Sequence, residues 1–179
     1  MSAAGRRIAP APRTEWPKHF EDHLAGTGCP ICTNDFTAED IEWGLLISKG
    51  PFANTYLWRS GQVRGYVVVI FTARYDAEPT AMTSIEAAGF WNEALAAGRA
   101  VEQYYRPLKL NCQLIGNAVP HVHFHITPRR SADQDPAPGG PPPPFDVLDH
   151  GRQDEEQLQS DARGLRELLG STGSSVVPQ

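Results

Sequence analysis

The sequence predicts an α+β domain: about five strands with one long helix packed on them, followed by a proline-rich strap and a C-terminal helix. Three observations carry this. Short apolar runs bounded by turn residues recur between Ile41 and Thr127. Between Thr80 and Tyr105 the apolar residues instead recur every three or four positions. From Ser131 the chain reads SADQDPAPGGPPPPFD, an extended polyproline-type composition.

Residues 1–20, rich in Ala, Pro and Arg and without periodicity, read as a loosely ordered N-terminal arm that packs on a partner subunit. The segment from Gly26 to Asn34, GTGCPICTN, is turn-rich and encloses a Cys-x-x-Cys. Ile41 to Ser48 is the first strand, closed by Lys49-Gly50-Pro51, and Asn54 to Trp58 is the second. Tyr66 to Phe71, YVVVIF, is continuous and β-branched, so it reads as a central strand buried on both faces. Thr83-Ser84-Ile85-Glu86 fits a capping box that opens the long helix. Phe90, Ala94, Ala97, Val101 and Tyr105 fall on one of its faces, and Pro107 stops it. Leu108 to Ile115 is a fourth strand, Gly116-Asn117 a turn, and His121 to Thr127 a fifth strand. Gln153 to Leu169 reads as a second helix with Leu158, Leu165, Leu168 and Leu169 as its apolar points, and residues 171–179 as a disordered tail.

Charge and composition narrow the function. Lys and Arg number 16 against 21 Asp and Glu, a net charge of −5. An acidic surface is a poor general binder of nucleic acid, whereas one local pocket is enough for a small phosphorylated ligand. No run approaches the roughly 18 apolar residues of a membrane span. The N-terminal MSAAGRRIAP lacks the apolar core of a secretory signal, and the 3 cysteines are an odd count, so a cytoplasmic protein with reduced thiols is expected.

The chemistry concentrates in HVHFHIT, residues 121–127, which holds half of the chain's 6 histidines. Strand alternation predicts His121, His123 and His125 on one face, about 7 Å apart, with Val122, Phe124 and Ile126 turned into a core. Such a face can ligate a metal, or it can use one ring as a nucleophile toward phosphorus while its neighbours hold it and donate to phosphate oxygens. The flanks favour the second. No Asp or Glu lies between Lys109 and Arg130, and Asn111, Gln113 and Asn117 supply neutral hydrogen-bonding groups beside a Gly-Asn turn.

These residues resemble the histidine triad family of nucleotide hydrolases and transferases. The family signature, His-φ-His-φ-His-φ-φ with φ apolar, reads here HVHFHIT followed by Pro128-Arg129, with Thr127 in the last apolar place. The likeness runs back through GNAVP, the helix, RGYVVVIF and the Cys-x-x-Cys, about residues 27–130. It implies a triad domain over residues 21–130, an antiparallel sheet with a helix on it, and a homodimer, leaving residues 131–170 as the extension. It also implies roles. His123 would attack the α-phosphorus of a nucleotide ester, anhydride or phosphoramidate, with an AMP-linked substrate expected, and form a nucleotidyl-histidine. His121 would help to orient His123, and His125 would contact the phosphate and the leaving-group side. Asn111, Asn117 and Gln113 would bind the nucleotide. The rival readings are a nucleotide-binding protein without catalysis and a metal-dependent hydrolase that uses all three histidines.

The chain departs from the family at three places. Tyr66 stands where a further histidine is common, Trp58 where a polar or acidic residue bonds ribose hydroxyls, and Tyr75 where zinc-bearing relatives have a histidine ligand. Trp58 accordingly reads as core ahead of a residue that stacks on a base, Cys29 and Cys32 as a vestigial thiol pair ahead of a structural zinc site, and the chemistry as requiring no cofactor. Cys112 reads as a small core residue.

Overall fold

The computed structural model describes residues 15–59, 63–131 and 152–172. The polyproline stretch from 132, the start of the N-terminal arm and the end of the tail lie outside them.

Six antiparallel strands form one sheet in the order β1-β2-β3-β4-β6-β5: β1 Asp40–Ile41, β2 Gly44–Lys49, β3 Ala53–Trp58, β4 Val67–Phe71, β5 Lys109–Leu114 and β6 His123–Arg129. The apolar run from Ile41 was expected to be one strand. A turn at Glu42-Trp43 splits it into a short hairpin, which adds the sixth strand. The segment before it holds two short helices that propensity did not reveal, α1 Phe20–Leu24 and α2 Pro30–Thr33.

Helix α3, Ser84–Tyr105, starts as expected: the Thr83 hydroxyl accepts from the Glu86 amide and the Glu86 carboxylate accepts from the Thr83 amide at 2.8 Å. Phe90, Ala94, Ala97 and Val101 are buried on its inner face. They meet Leu57, Val67, Val69, Phe71, Phe124 and Ile126 from one face of the sheet. Helix α4, Glu155–Thr172, adds Leu158, Ala162 and Leu165 to the same core. Each of these large side chains contributes roughly 1.5–3 kcal/mol by leaving water.

Helix α4 is fastened by polar groups as well. Asp161 is fully buried and accepts from Arg64 at 2.7 and 2.8 Å, from the Tyr105 hydroxyl at 3.0 Å and from Gln157 at 2.9 Å. Arg166 donates to the Leu46 carbonyl on β2 at 2.6 Å. Among the described residues no helix is long and apolar enough to cross a membrane.

The opposite sheet face carries Tyr56, Tyr66, Val68 and Ile70, covered in part by Ile31, Phe36, Ile41, Trp43 and Trp58. β4 is buried on both sides, as its β-branched sequence predicts. β5 is an edge strand, so Cys112 is exposed rather than core: among the described residues no strand lies beyond it.

Candidate active site

β6 lies between β4 and β5, which fixes the neighbours of each of its residues. His123 sits opposite Ile70, His125 sits opposite Val68 on one side and Gln113 on the other, and Thr127 sits opposite Asn111. Alternation puts His123 and His125 on the face away from α3, with Phe124 and Ile126 in the helical core. The two imidazoles meet edge to face, centroids 4.6 Å apart and planes at 74°.

His121 departs from that row. The sequence alternates without a break, but β6 begins only at His123, because the Val122 amide is taken by the Asp76 carbonyl at 2.8 Å. The ring of His121 is buried and turns toward the N-terminal segment. Its Nε2 lies 2.7 Å from the Phe71 carbonyl, and its Nδ1 lies 3.6 Å from the Cys29 sulfur and 3.4 Å from the Cys32 sulfur. A carbonyl only accepts, so Nε2 carries the hydrogen and Nδ1 turns a lone pair to the thiols. His121 therefore touches His123 through its backbone, not its ring.

That backbone contact is specific. His123 Nδ1 stands 2.5 Å from the His121 carbonyl. The same reasoning puts the ring hydrogen on Nδ1 and leaves the lone pair on Nε2. Of the three imidazoles only that of His123 is partly accessible; His121 and His125 are buried. Burial pushes the His123 pKa below its usual value, the bond to the His121 carbonyl opposes this, and the nearby His121 lowers it further. Burial acts on His125 in the same direction, aided by His123, and carries its pKa down to about 2. Both rings are neutral at pH 7.

The Tyr66 hydroxyl lies 2.5 Å from His125 Nδ1. Gly65 makes that placement possible: its φ is +88°, and a Cβ there would lie 2.6 Å from the Tyr105 ring. Tyr66 in turn packs edge-on against Trp58, which stacks on Trp43. Trp58 is thus part of the second cluster, only half-buried at its border.

The three amide side chains expected at the site have different surroundings. Gln113 is the cross-strand neighbour of His125. Asn111 shares the face but accepts from the guanidinium of Arg129 at 2.6 Å. Asn117 is exposed in the connection between β5 and β6. Arg129 itself is buried on this face, two residues beyond Thr127, and the position of a charged residue after the signature was the one hint of it.

The sulfurs of Cys29 and Cys32 and a ring nitrogen of His121 lie within 4.8 Å of one another, the one group of possible metal ligands among the described residues. The donor set fits zinc: two thiols, and an imidazole whose lone pair already faces them. Tyr75 does not add a fourth donor, since its hydroxyl lies 2.6 Å from the His23 carbonyl and 2.8 Å from that of Pro120. It packs edge-on against the His121 ring instead, at 5.5 Å. Among the described residues the three triad imidazoles do not form such a group with one another.

The HIT domain family profile matches residues 57–132. No curated protein matches the sequence. Among solved structures, a histidine triad protein from Bradyrhizobium japonicum is 21% identical, covering 72% of this chain and 92% of its own, with a TM-score of 0.58. A zinc-bound histidine triad family protein from Mycobacterium smegmatis is 20% identical over 82% of this chain and 96% of its own, with a TM-score of 0.58. A hypothetical histidine triad nucleotide-binding protein from Sulfolobus tokodaii is 16% identical over 72% and 85%, with a TM-score of 0.55. At these identities the likeness is one of fold.

Proposed function

Since this chain is a histidine triad protein by the HIT domain it carries over residues 57–132, we propose that it hydrolyses or transfers a nucleoside monophosphate, AMP in the first instance, through a covalent bond to His123. The observation that carries this is the hydrogen bond from His123 Nδ1 to the His121 carbonyl. It pins the neutral tautomer whose Nε2 lone pair is free to attack, on the least buried of the three triad histidines.

In the first displacement, Nε2 forms a bond to the α-phosphorus while the bond to the leaving group breaks and its electron pair departs with that group. In the second, water attacks the phosphorus, the P–N pair returns to Nε2 and the nucleoside monophosphate leaves; an acceptor hydroxyl in place of water gives transfer. The growing charge on the phosphoryl oxygens needs donors, and Gln113 beside His125, with Asn111 and the exposed Asn117, supplies neutral ones. The absence of a carboxylate from β5 and β6 keeps that charge unopposed.

Cys29, Cys32 and His121 would hold a zinc ion as a structural cross-link between the N-terminal segment and the residue preceding β6. Such an ion supplies rigidity rather than a step in the reaction. Among the described residues the outer edge of β5 has no strand beside it, and a second copy pairing there would give the homodimer. A reducing cytoplasm would keep both thiols available.

The test is mass detection of a nucleotidyl adduct on His123 after rapid quenching with adenosine phosphoramidate and with diadenosine polyphosphates. An adduct that maps to His123 and vanishes in His123→Gly is expected. AMP binding with no adduct and no turnover on either substrate would instead leave a nucleotide-binding protein.

A further inference from the structure

The nucleophilic reading leaves the leaving group without a proton. An amine or an alkoxide departs poorly unless one reaches it in the transition state. His125 is the ring nearest His123, but burial keeps it neutral. A neutral imidazole that gave up its only N–H would become an imidazolate.

Tyr66 resolves this. Its hydroxyl lies 2.5 Å from His125 Nδ1, the ring planes are within 6° of parallel, and the centroids are 5.9 Å apart. A centroid spacing that long with so short an O···N contact sets the phenol end-on to the imidazole, where the Nδ1 lone pair points. Of the two groups the phenol is the stronger acid and the imidazole nitrogen the stronger base, so the hydroxyl donates and Nδ1 accepts. His125 then carries its hydrogen on Nε2. Its neighbour His123 carries its hydrogen on Nδ1 and a lone pair on Nε2. Two adjacent rings of the same residue type are thus held in opposite tautomers by one carbonyl and one phenol.

We propose that Tyr66 and His125 form a proton relay in which Tyr66, a positioning residue, backs the hydrogen that His125 Nε2 delivers to the leaving group, an inference that rests on His123 being the nucleophile. The balance closes at each displacement. As the His123 N–P bond forms and the bond to the leaving group breaks, the departing atom takes the Nε2 hydrogen of His125, Nδ1 takes the phenol hydrogen, and Tyr66 becomes a phenolate. As water attacks, its proton goes to Nε2, the Nδ1 hydrogen returns to Tyr66, and the resting state is restored. His125 stays neutral throughout. The substrate class that gains most is the one with a basic leaving group, namely phosphoramidates of amines and esters of simple alcohols.

The experiment compares Tyr66→Phe with the wild type on two AMP derivatives that differ only in the leaving group: an N-alkyl phosphoramidate and a p-nitrophenyl ester. Tyr66→Phe removes one oxygen and keeps the ring, so folding, checked by the thermal midpoint, is retained. The expected result is a fall in kcat of about 100-fold on the amidate and under about 5-fold on the p-nitrophenyl ester, whose leaving group needs no proton. A second readout needs no turnover: nitrogen-15 spectra of labelled histidine should show His125 protonated at Nε2 in the wild type and a mixture of tautomers in Tyr66→Phe. Equal losses on both substrates, or a wild-type His125 protonated at Nδ1, overturn the relay while leaving His123 as the nucleophile. A wild type that forms no adduct at His123 overturns the nucleophile, and the relay's role with it.

Discussion

The two faces of the sheet are made of nearly the same strands and do different work. Toward α3 and α4 the side chains are Leu57, Val67, Val69, Phe71, Phe124 and Ile126, closed over by helical Phe, Ala and Leu. Toward the other side the same strands present Asn54, Tyr56, Tyr66, Val68, His123 and His125, with only part of the face covered. One residue's shift in register would exchange the two sets. The helical core holds that register, and the register in turn places two imidazoles and a phenol within bonding distance on the far side. Stability and chemistry are therefore separable by face, and mutations on either face should break one and spare the other.

The largest expected effect is on chemistry alone. His123→Ala should lower kcat on adenosine phosphoramidate by about 10⁴-fold or more while leaving the urea midpoint close to wild type. Loss of activity together with loss of fold would show that the open face is structural after all. The mirror experiment is Phe90→Ala, which empties the fully buried site against Phe71. It should cost about 3–5 kcal/mol in denaturant unfolding and leave kcat per folded molecule near wild type.

Asp161→Asn probes the fastening of α4 and should cost about 1–3 kcal/mol. Burial acts to raise the Asp161 pKa, but the bonds from Arg64 and Tyr105 win and hold it below the usual carboxylate value. A lowered folded pKa stabilises the protein above the unfolded pKa of about 4, and that contribution is lost as pH falls through the folded value. The gap in thermal midpoint between wild type and Asp161→Asn should thus be full at pH 7 and close as the pH falls below about 4. The smallest effect is on the pH profile. Because the His123 pKa is lowered, the attacking lone pair survives acidification, so kcat/KM should show no titration near pH 6.5 and decline only at lower pH. A decline centred at 6.5 would mean that His123 is solvated like a free imidazole.

Much of this is legible in the sequence. The capping box, the apolar face of α3, the buried character of β4 and the alternation of His123 to Ile126 all follow from local rules. What escaped is tertiary. Nothing in His-Val-His-Phe-His says that the first histidine leaves the row; the Asp76 carbonyl, remote in sequence, decides it by taking the Val122 amide. The resemblance marks Tyr66 as standing in a histidine's place, but only the fold shows that its hydroxyl meets His125, 59 positions away. Cys112 looks like core until β5 turns out to be an edge. Asp161 looks like one more surface acid until Arg64, 97 residues away, meets it. Cys29 and Cys32 were read as vestigial thiols because Tyr75 occupies a ligand's place, yet the His121 ring faces both of them.

His121 belongs to two neighbourhoods at once, its imidazole to the sulfurs and its main chain to the ring of His123. A cation held by those sulfurs and that ring would bear on the same residue whose carbonyl sets where His123 keeps its hydrogen. The amino-terminal edge of the domain and the His123 ring are thereby joined through a single peptide unit.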